Sequence, residues 1–404
     1  MDVRSGYPFW TVKNGLLANF PSLQQGRRCE IAVIGAGVTG ALVATELAAH
    51  GHEVLLLDEG AAGWGSTAAS TALIQYEIDT HLTELARLHG EADALLAYRA
   101  CAAAVLRLGE IAGALRDVGW QRCDSVYFAG RPSHAKRLAE EFALRKRHGF
   151  DVEWLDAARL RERYGFSAAA AGRLTMAAAL DPYRLTARLL QRLHRGGSEI
   201  YERSGVEAIE AGRRDVRLRT RDGCVVRAAR VVVAAGYASQ RWLRQRVARN
   251  RSSYAFVSEP IAAAALGPLR DTLLWESSRP YLYLRGTRDG RLIVGGEDDA
   301  LDLPARRDRR VARKACRLLA RAQALFPQLP LQPAFCWGGT FAETRDGLPY
   351  FGAHPQYGPR VLFALAYGGN GITFSVIGAQ LLRALIERRA HPLRTVFGFG
   401  REHG

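Results

Sequence analysis

Three glycines at fixed spacing are the first residues whose pattern implies chemistry. Gly35, Gly37 and Gly40 lie in "VIGAGVTGALVATEL", a GxGxxG run that follows an apolar stretch and opens an amphipathic one. The first glycine permits a tight turn, the second lets backbone approach a pyrophosphate, and the third lets a helix pack closely on a strand. Val38 and Thr39 fall in the first turn of that helix, where free N–H groups and the helix dipole favour phosphate. Asp58 closes the next apolar run, "EVLLLDE", 23 residues after Gly35. An acid there can accept a hydrogen bond from a ribose hydroxyl. Glu59 is an adjacent rival for that role, and register favours Asp58. The combination predicts a dinucleotide site.

Two later segments bear on which dinucleotide. "RVVVAAG" (residues 230–236) is an apolar strand ending in small residues, as expected where a sheet edge faces a cofactor. "YGGNGITFS" (residues 367–375) is a glycine-rich turn that opens a helix. A helix N-terminus there can stabilise the charge that collects at the N1–C2=O side of a reduced flavin. The blander reading is that these glycines only turn and cap the chain.

These groups need elements to hold them, and the composition suits such a scaffold. The chain has 404 residues, 48% hydrophobic and 24% charged, enough for two domains or one α/β domain with an inserted lobe. Residues 30–58 read as one βαβ unit. A long helical stretch follows from residue 91. "DPYRLTARLLQRLHRGG" reads as a helix with Asp181 as N-cap, Pro182 in its first turn and glycines at its end. Residues 123–180 read as short strands and basic helices, 251–335 as a strand-rich block, and 336–404 as a strand and a closing helix. The expected fold is α/β: a Rossmann-like dinucleotide-binding domain from segments 29–122, 181–250 and 336–404. An antiparallel-sheet substrate domain from 123–180 and 251–335 is inserted into it, and residues 1–28 form a leader packed on the surface.

Other chemistries are not supported. Six cysteines are scattered without CxxC spacing, so neither a metal site nor a disulfide framework is indicated. No secretory leader or apolar run of membrane-spanning length is found, and a reducing cytoplasm is the expected compartment. The net charge of +16 comes almost wholly from arginine, with clusters "RRDRR" and "RWLRQRVARNR". No aromatic-basic pattern accompanies them, so the charge is not read as a nucleic-acid interface.

Four segments in order, "VIGAGVTG", "GWGSTAASTA", "VVVAAGY" and "CWGGTFAETRDGLPYFG" with "YGGNGI", resemble the D-amino-acid oxidase/glycine oxidase/sarcosine oxidase superfamily of FAD-dependent oxidoreductases. The resemblance runs from about residue 28 to 390. It implies that Gly35, Gly37, Gly40 and Asp58 hold the ADP half of FAD. Ser66, Thr67, Ser70, Thr71 and Ala72 would line the pyrophosphate and isoalloxazine, Val206 would meet the adenine, and Ala235 and Gly236 would lie along the cofactor. Gly369, Asn370, Gly371 and Ile372 would cover the flavin's N1–C2=O edge. Relatives often carry Arg-Asn where this chain has Ala69 and Ser70. Some attach FAD through a cysteine near the C-terminal motif, where this chain has Thr344, so non-covalent FAD is expected.

The resemblance also implies oxidation of a C–N bond in a small amine or amino acid, by hydride transfer to flavin N5. Such a reaction asks the protein mainly to position substrate and exclude water, which leaves no motif for a catalytic residue. The pocket candidates are Tyr254, Glu259, Tyr281, Tyr283, Arg285, Phe341 and Tyr367. Phe341 stands where glycine oxidase-like relatives place an arginine for the substrate carboxylate. A phenyl ring cannot pair with a carboxylate, although its face can contact an ammonium. That favours an amine without a carboxylate, or an amino acid held differently, with Arg285 a rival carboxylate partner. The acceptor is O2 or another electron carrier. No lysine lies in a flavin motif, which tilts towards a dehydrogenase. Two alternatives remain: a flavoprotein acting on an amine in a modified tRNA base, and a flavin-binding protein without turnover.

Overall fold

The computed structural model describes residues 2–365 and 367–401. Residues 1 and 402–404, at the ends of the expected leader and last segment, lie outside them, as does residue 366. Two sheets organise the chain. The first has eight strands, in the order Tyr350–Ala353, Val361–Leu365, Val225–Val233, Arg27–Ile34, Val54–Leu57 and Glu199–Tyr201, with Val216–Thr220 and Val206–Ala211 carried on one side. Its central strands are parallel: Ile31 lies opposite Val54, and Val231 opposite both Ala32 and Val361.

Both faces of this sheet are covered at its centre, so the stretches 31–34, 54–57, 231–233 and 361–365 are apolar at every position rather than at alternate ones. Ile31, Val33, Leu56 and Val232 face the helices Val38–Ala49, Glu91–Gly113, Pro182–Arg195 and Gly371–Ile386. Ala32, Ile34, Leu55 and Val233 face the other side with Trp242 and Leu243. Each buried Val, Leu or Ile contributes about 1.5–3 kcal/mol. Asp181 caps its helix as the sequence predicts, its Oδ1 accepting from Arg184 N–H at 2.9 Å.

The second sheet has ten strands, mainly antiparallel: Arg4–Gly6, Pro333–Glu343, Arg249–Ser258, Leu292–Asp299, Leu282–Gly286, Thr272–Glu276, Gln121–Phe128, Ala170–Ala179 and Leu73–Gln75, with Val152–Asp156 beside Ala170–Ala179. One face carries the 22-residue helix Pro304–Leu325, which the strand-rich reading of 251–335 does not anticipate. Its arginine-heavy sequence hides an apolar stripe of Ala315, Leu318 and Ala322 packed on Phe256, Leu284 and Val294.

The sheet boundaries differ from the expected segments at three places. Pro333–Glu343 pairs along its length with Arg249–Ser258, so the segment 336–404 divides between the sheets after Glu343. Leu73–Gln75 forms one edge of the ten-stranded sheet. The expected surface leader instead supplies the opposite edge, Arg4–Gly6, and buries Phe9 and Trp10 to 3% exposure. These strands are where the chain crosses between sheets, and short apolar alternation does not say which sheet a strand joins. Among the described residues no helix is long and apolar enough to cross a membrane.

Candidate functional site: a cavity between the two sheets

A cavity of about 540 Å³ runs between the two sheets. One end is built by the glycine turn. Gly35 has φ +111°, and a Cβ there would stand 2.4 Å from the Ala234 carbonyl oxygen. A Cβ on Gly40 would stand 1.8 Å from the Gly35 carbonyl oxygen, so the helix touches its own turn. Gly40 therefore acts through packing and does not line the cavity, whereas Gly35, Gly37, Val38 and Thr39 do. The helix Val38–Ala49 has Gly37 at its N-cap, no side-chain cap bond and no acid in its first turn. Apart from the Val38 N–H, which Thr67 Oγ1 takes, the first-turn N–H groups are left for a ligand, as a phosphate needs.

Asp58 and Glu59 both line this end and differ in how their charges are used. Asp58 accepts from Ala36 N–H at 2.6 Å and Gly60 N–H at 2.8 Å, yet burial pushes its carboxyl up to about 6. For Glu59, burial is outweighed by the Arg241 guanidinium at 2.9 Å, which holds its carboxyl below the usual range. Val206, Ala235 and Gly236 continue this wall.

The middle of the cavity is lined by Ser66, Thr67, Ser70, Thr71 and Ala72. Thr67 Oγ1 accepts from Val38 N–H at 3.0 Å, which ties this segment to the glycine turn. Ala72 adopts φ +52°, unusual for a residue with a Cβ, and Ser70 Oγ accepts from its N–H at 3.1 Å. Gly369, Asn370, Gly371 and Ile372 line the cavity at the start of the helix Gly371–Ile386, whose N-cap Asn370 makes no capping bond. Thr39 and Ser375 share a hydrogen bond of 2.8 Å, so the two helices that point at the cavity are fastened together.

The other end is aromatic and acidic. Of the pocket candidates, Tyr281, Tyr283 and Phe341 line it. Gly295 makes room for Tyr283: a Cβ there would meet the ring at 2.3 Å. Tyr254 borders the cavity, but its ring packs in the core on the far side and its hydroxyl donates to Asp299 at 2.8 Å. Three sequence candidates stand elsewhere. Glu259 is exposed and pairs with Arg291 at 3.3 Å. Arg285 is buried behind the wall, donating to the Thr71 carbonyl at 2.6 Å and the Leu180 carbonyl at 2.8 Å, and burial lowers its guanidinium to about 10. Tyr367 is buried against Tyr237, their rings 5.8 Å apart. Residue type alone does not separate these three from the lining residues: Glu259 faces solvent, whereas Arg285 and Tyr367 are buried outside the cavity.

Sequence reasoning missed Trp275, Asp79 and Asp298, which also line this end. Asp79 accepts from Gly369 N–H at 2.9 Å, and burial raises its carboxyl. Asp298 carries a buried Oδ1 without a hydrogen-bond partner. Burial pushes its carboxyl up to about 6, a Ser253 hydrogen bond opposes the shift, and the charges of Glu343 and Asp79 add to it. The only sequence signal was "GEDDA", an acidic run that reads as a solvated turn. Trp275 stacks on Tyr127 at 3.7 Å, and its Nε1 donates to Ser125. No group of three or more His, Cys, Asp or Glu that could hold a metal occurs among the described residues.

One cavity thus joins the glycine turn to a second helix start, at Gly371, and an aromatic chamber. Fold and cavity together define a two-sheet α/β flavoenzyme, with a Rossmann-like nucleotide-binding sheet beside an antiparallel one. Comparison with known proteins fixes the family. Residues 30–385 match the family described as "DAO: FAD dependent oxidoreductase", and the chain belongs to it. It is 28% identical to the glycine oxidase of Geobacillus kaustophilus over 371 residues, covering 90% of this chain and 94% of the relative. The crystal structure of glycine oxidase from that organism superposes with a TM-score of 0.79 at 23% identity, covering 93% and 99% of the two chains. L-proline dehydrogenase from P. horikoshii superposes at 0.78 with 16% identity, covering 94% and 99%. The cofactor of the family is FAD, and the cradle of Gly35, Gly37 and the uncapped helix start fits its diphosphate.

Proposed function

We propose that this protein is a cytoplasmic FAD-dependent enzyme that oxidises a C–N bond of a small amine, with the eight-stranded sheet binding the cofactor and the ten-stranded sheet the substrate. When bound, the flavin accepts the hydride. The residues proposed to hold it are those of the glycine turn, Asp58, the 66–72 segment and the 369–372 turn. FAD is held non-covalently in this reading, since among the described residues no cysteine or histidine lines the cavity.

The observation that carries the substrate reading is the charge at the aromatic end. Its ionisable lining groups among the described residues are the carboxylates Asp79 and Asp298 with the tyrosines Tyr237, Tyr281 and Tyr283, and no guanidinium is among them. Arg285 is committed to carbonyls, and Arg279 lies outside the lining, paired with Glu343 at 3.0 Å. A chamber of this kind attracts an ammonium and repels a carboxylate. Asp298 Oδ1 offers a vacant acceptor for the substrate nitrogen, and Tyr281, Tyr283 and Phe341 enclose its alkyl carbons. The glycine oxidase and proline dehydrogenase names attach to those proteins, and an α-carboxylate in this chamber would lack a partner.

Anaerobic mixing of the purified protein with primary, secondary and N-methyl amines and with D- and L-amino acids tests this, read as loss of flavin absorbance near 450 nm. Bleaching by amines and not by amino acids is expected. Bleaching only by amino acids overturns the charge argument, and no bleaching turns attention to a macromolecular amine. Readmitting air separates an oxidase from a dehydrogenase. Among the described residues no lysine lines the cavity, which supports the latter.

A further inference from the structure

The N-terminal segment is the unexpected wall of the cofactor cavity. Residues 2–4 line it, although they precede the glycine turn by some thirty residues. They are held there by a buried clamp. Arg307, with 0% exposure, donates from Nε to Ser5 Oγ at 2.8 Å and from Nη2 to the carbonyls of Asp2 at 3.0 Å and Arg4 at 3.3 Å. Its Nη1 is anchored by Asp302 at 2.6 Å and Thr340 Oγ1 at 2.8 Å. Thr340 N–H donates to the Val3 carbonyl at 2.9 Å, and Arg4 lies opposite Gly339 in the sheet. A fully buried guanidinium spent on three backbone or hydroxyl acceptors of one short segment fixes that segment in place.

The segment crosses the cavity at a particular point. Val3 Cγ2 lies 3.7 Å from where a Cβ on Gly65 would stand, and the Arg4 guanidinium sits 4.9 Å over the Trp64 ring. Gly65 leads directly into Thr67, whose Oγ1 binds Val38 N–H at the start of the phosphate-binding helix. Among the described residues that line the cavity, two are arginines, Arg4 and Arg241. Arg241 is tied to Glu59, whereas Arg4 forms no ion pair with a described residue. Asp2, beside it, is compensated by Arg307 at 3.5 Å.

We propose that residues 2–4 form part of the FAD site, with Arg4 pairing with the cofactor's diphosphate and Arg307 holding the segment against it. A half-buried arginine stacked on an indole keeps its planar fork oriented, the arrangement suited to two phosphate oxygens. The proposal rests on the family's cofactor and not on any reading of the substrate.

The test measures ligand binding rather than turnover. Apoprotein prepared from the holoenzyme is titrated with FAD and with riboflavin by flavin fluorescence, and ADP is titrated as a competitor of FAD. Arg4→Ala should raise the Kd for FAD and for ADP by about tenfold to a hundredfold while leaving riboflavin unchanged. Arg4→Lys should recover part of the loss. Arg307→Gln should speed FAD release from the holoenzyme, with far-ultraviolet circular dichroism confirming the fold. An unchanged FAD Kd in Arg4→Ala overturns the proposal. So does an equal weakening of FAD and riboflavin, which would make Arg4 a structural wall only. A weakened FAD with unaffected ADP also overturns it, because the diphosphate would not be the partner.

Discussion

The two ends of the cavity are built in opposite ways. At the nucleotide end the chemistry is done by backbone: glycines clear space, helix N–H groups are left uncapped, and both acids are already engaged, Asp58 by N–H groups and Glu59 by arginine. At the aromatic end, the proposed substrate site, side chains come from separate segments, and Asp298 keeps an oxygen unengaged. A backbone site tolerates almost no change, because its atoms touch. A side-chain site can be altered one group at a time, and its affinity and selectivity read out separately. That difference orders the expected effects of mutation.

The largest effect should come from Gly40→Ala. Its methyl group would stand 1.8 Å from the Gly35 carbonyl oxygen, which is backbone and cannot swing away. The helix must retreat from the turn, at a cost of about 3 kcal/mol or more. Purified Gly40→Ala should melt at a lower temperature and carry little flavin. If it keeps full flavin content and wild-type Tm, the close packing of turn and helix has no role in forming the site.

Arg285→Met separates structure from selectivity. The carbonyls of Thr71 and Leu180 would lose their donor, each at about 1–3 kcal/mol, partly offset by removal of a buried charge. Thermal unfolding should show a net loss of about 2 kcal/mol, while the ranking of substrates in the bleaching assay stays as in the wild type. A variant that stops discriminating between amines and amino acids would restore Arg285 to the substrate site.

This contrast also explains what the sequence reveals. The nucleotide end is legible because its parts are local: Gly35, Gly37, Gly40 and Asp58 lie in one βαβ unit, and their spacing is set by the geometry of that unit. The turn at 369–372 is legible for the same reason. The substrate end gathers Asp79, Trp275, Tyr281, Asp298 and Phe341 from distant segments, and their meeting depends on strand order. Tyr283 and Arg285 sit two apart on one strand, a spacing that puts both on one face, yet only Tyr283 lines the cavity. Arg285 lies further along, behind Thr71, and strand periodicity carries no information on where along a face a cavity ends.

Asp298→Asn tests the vacant acceptor. Its loss should lower kcat/KM for the best amine by about tenfold to a hundredfold and leave flavin content unchanged. The wild type should show a matching pH effect. Asp79 and Glu343 face Asp298 with negative charge, Arg279 with positive charge, and Ser253 donates to it. With its carboxyl raised to about 6, it is anionic above that pH and neutral below, so KM should rise as pH falls through about 6. Stability runs the other way: a raised carboxyl favours the folded state below its unfolded value, and that contribution is lost as pH rises through about 6. Asp298→Asn should abolish the step in KM. A step of equal size in the variant would assign it to another group.

Phe341→Leu should give the smallest effect and the sharpest view of how the chamber holds a cation. Phe341 is partly buried, on the strand that also contacts the N-terminal segment through Thr340. Leucine keeps most of the apolar contact and removes the ring face, worth about 0.5–1 kcal/mol to a nearby ammonium. KM for the amine should rise about two- to fivefold with kcat nearly unchanged, because the interaction is present before and during hydride transfer alike. A neutral alkyl inhibitor should bind the variant and the wild type equally well. If its affinity falls as much as that of the amine, the phenyl ring serves the alkyl carbons, and the cation is held by Asp298 and the tyrosines alone.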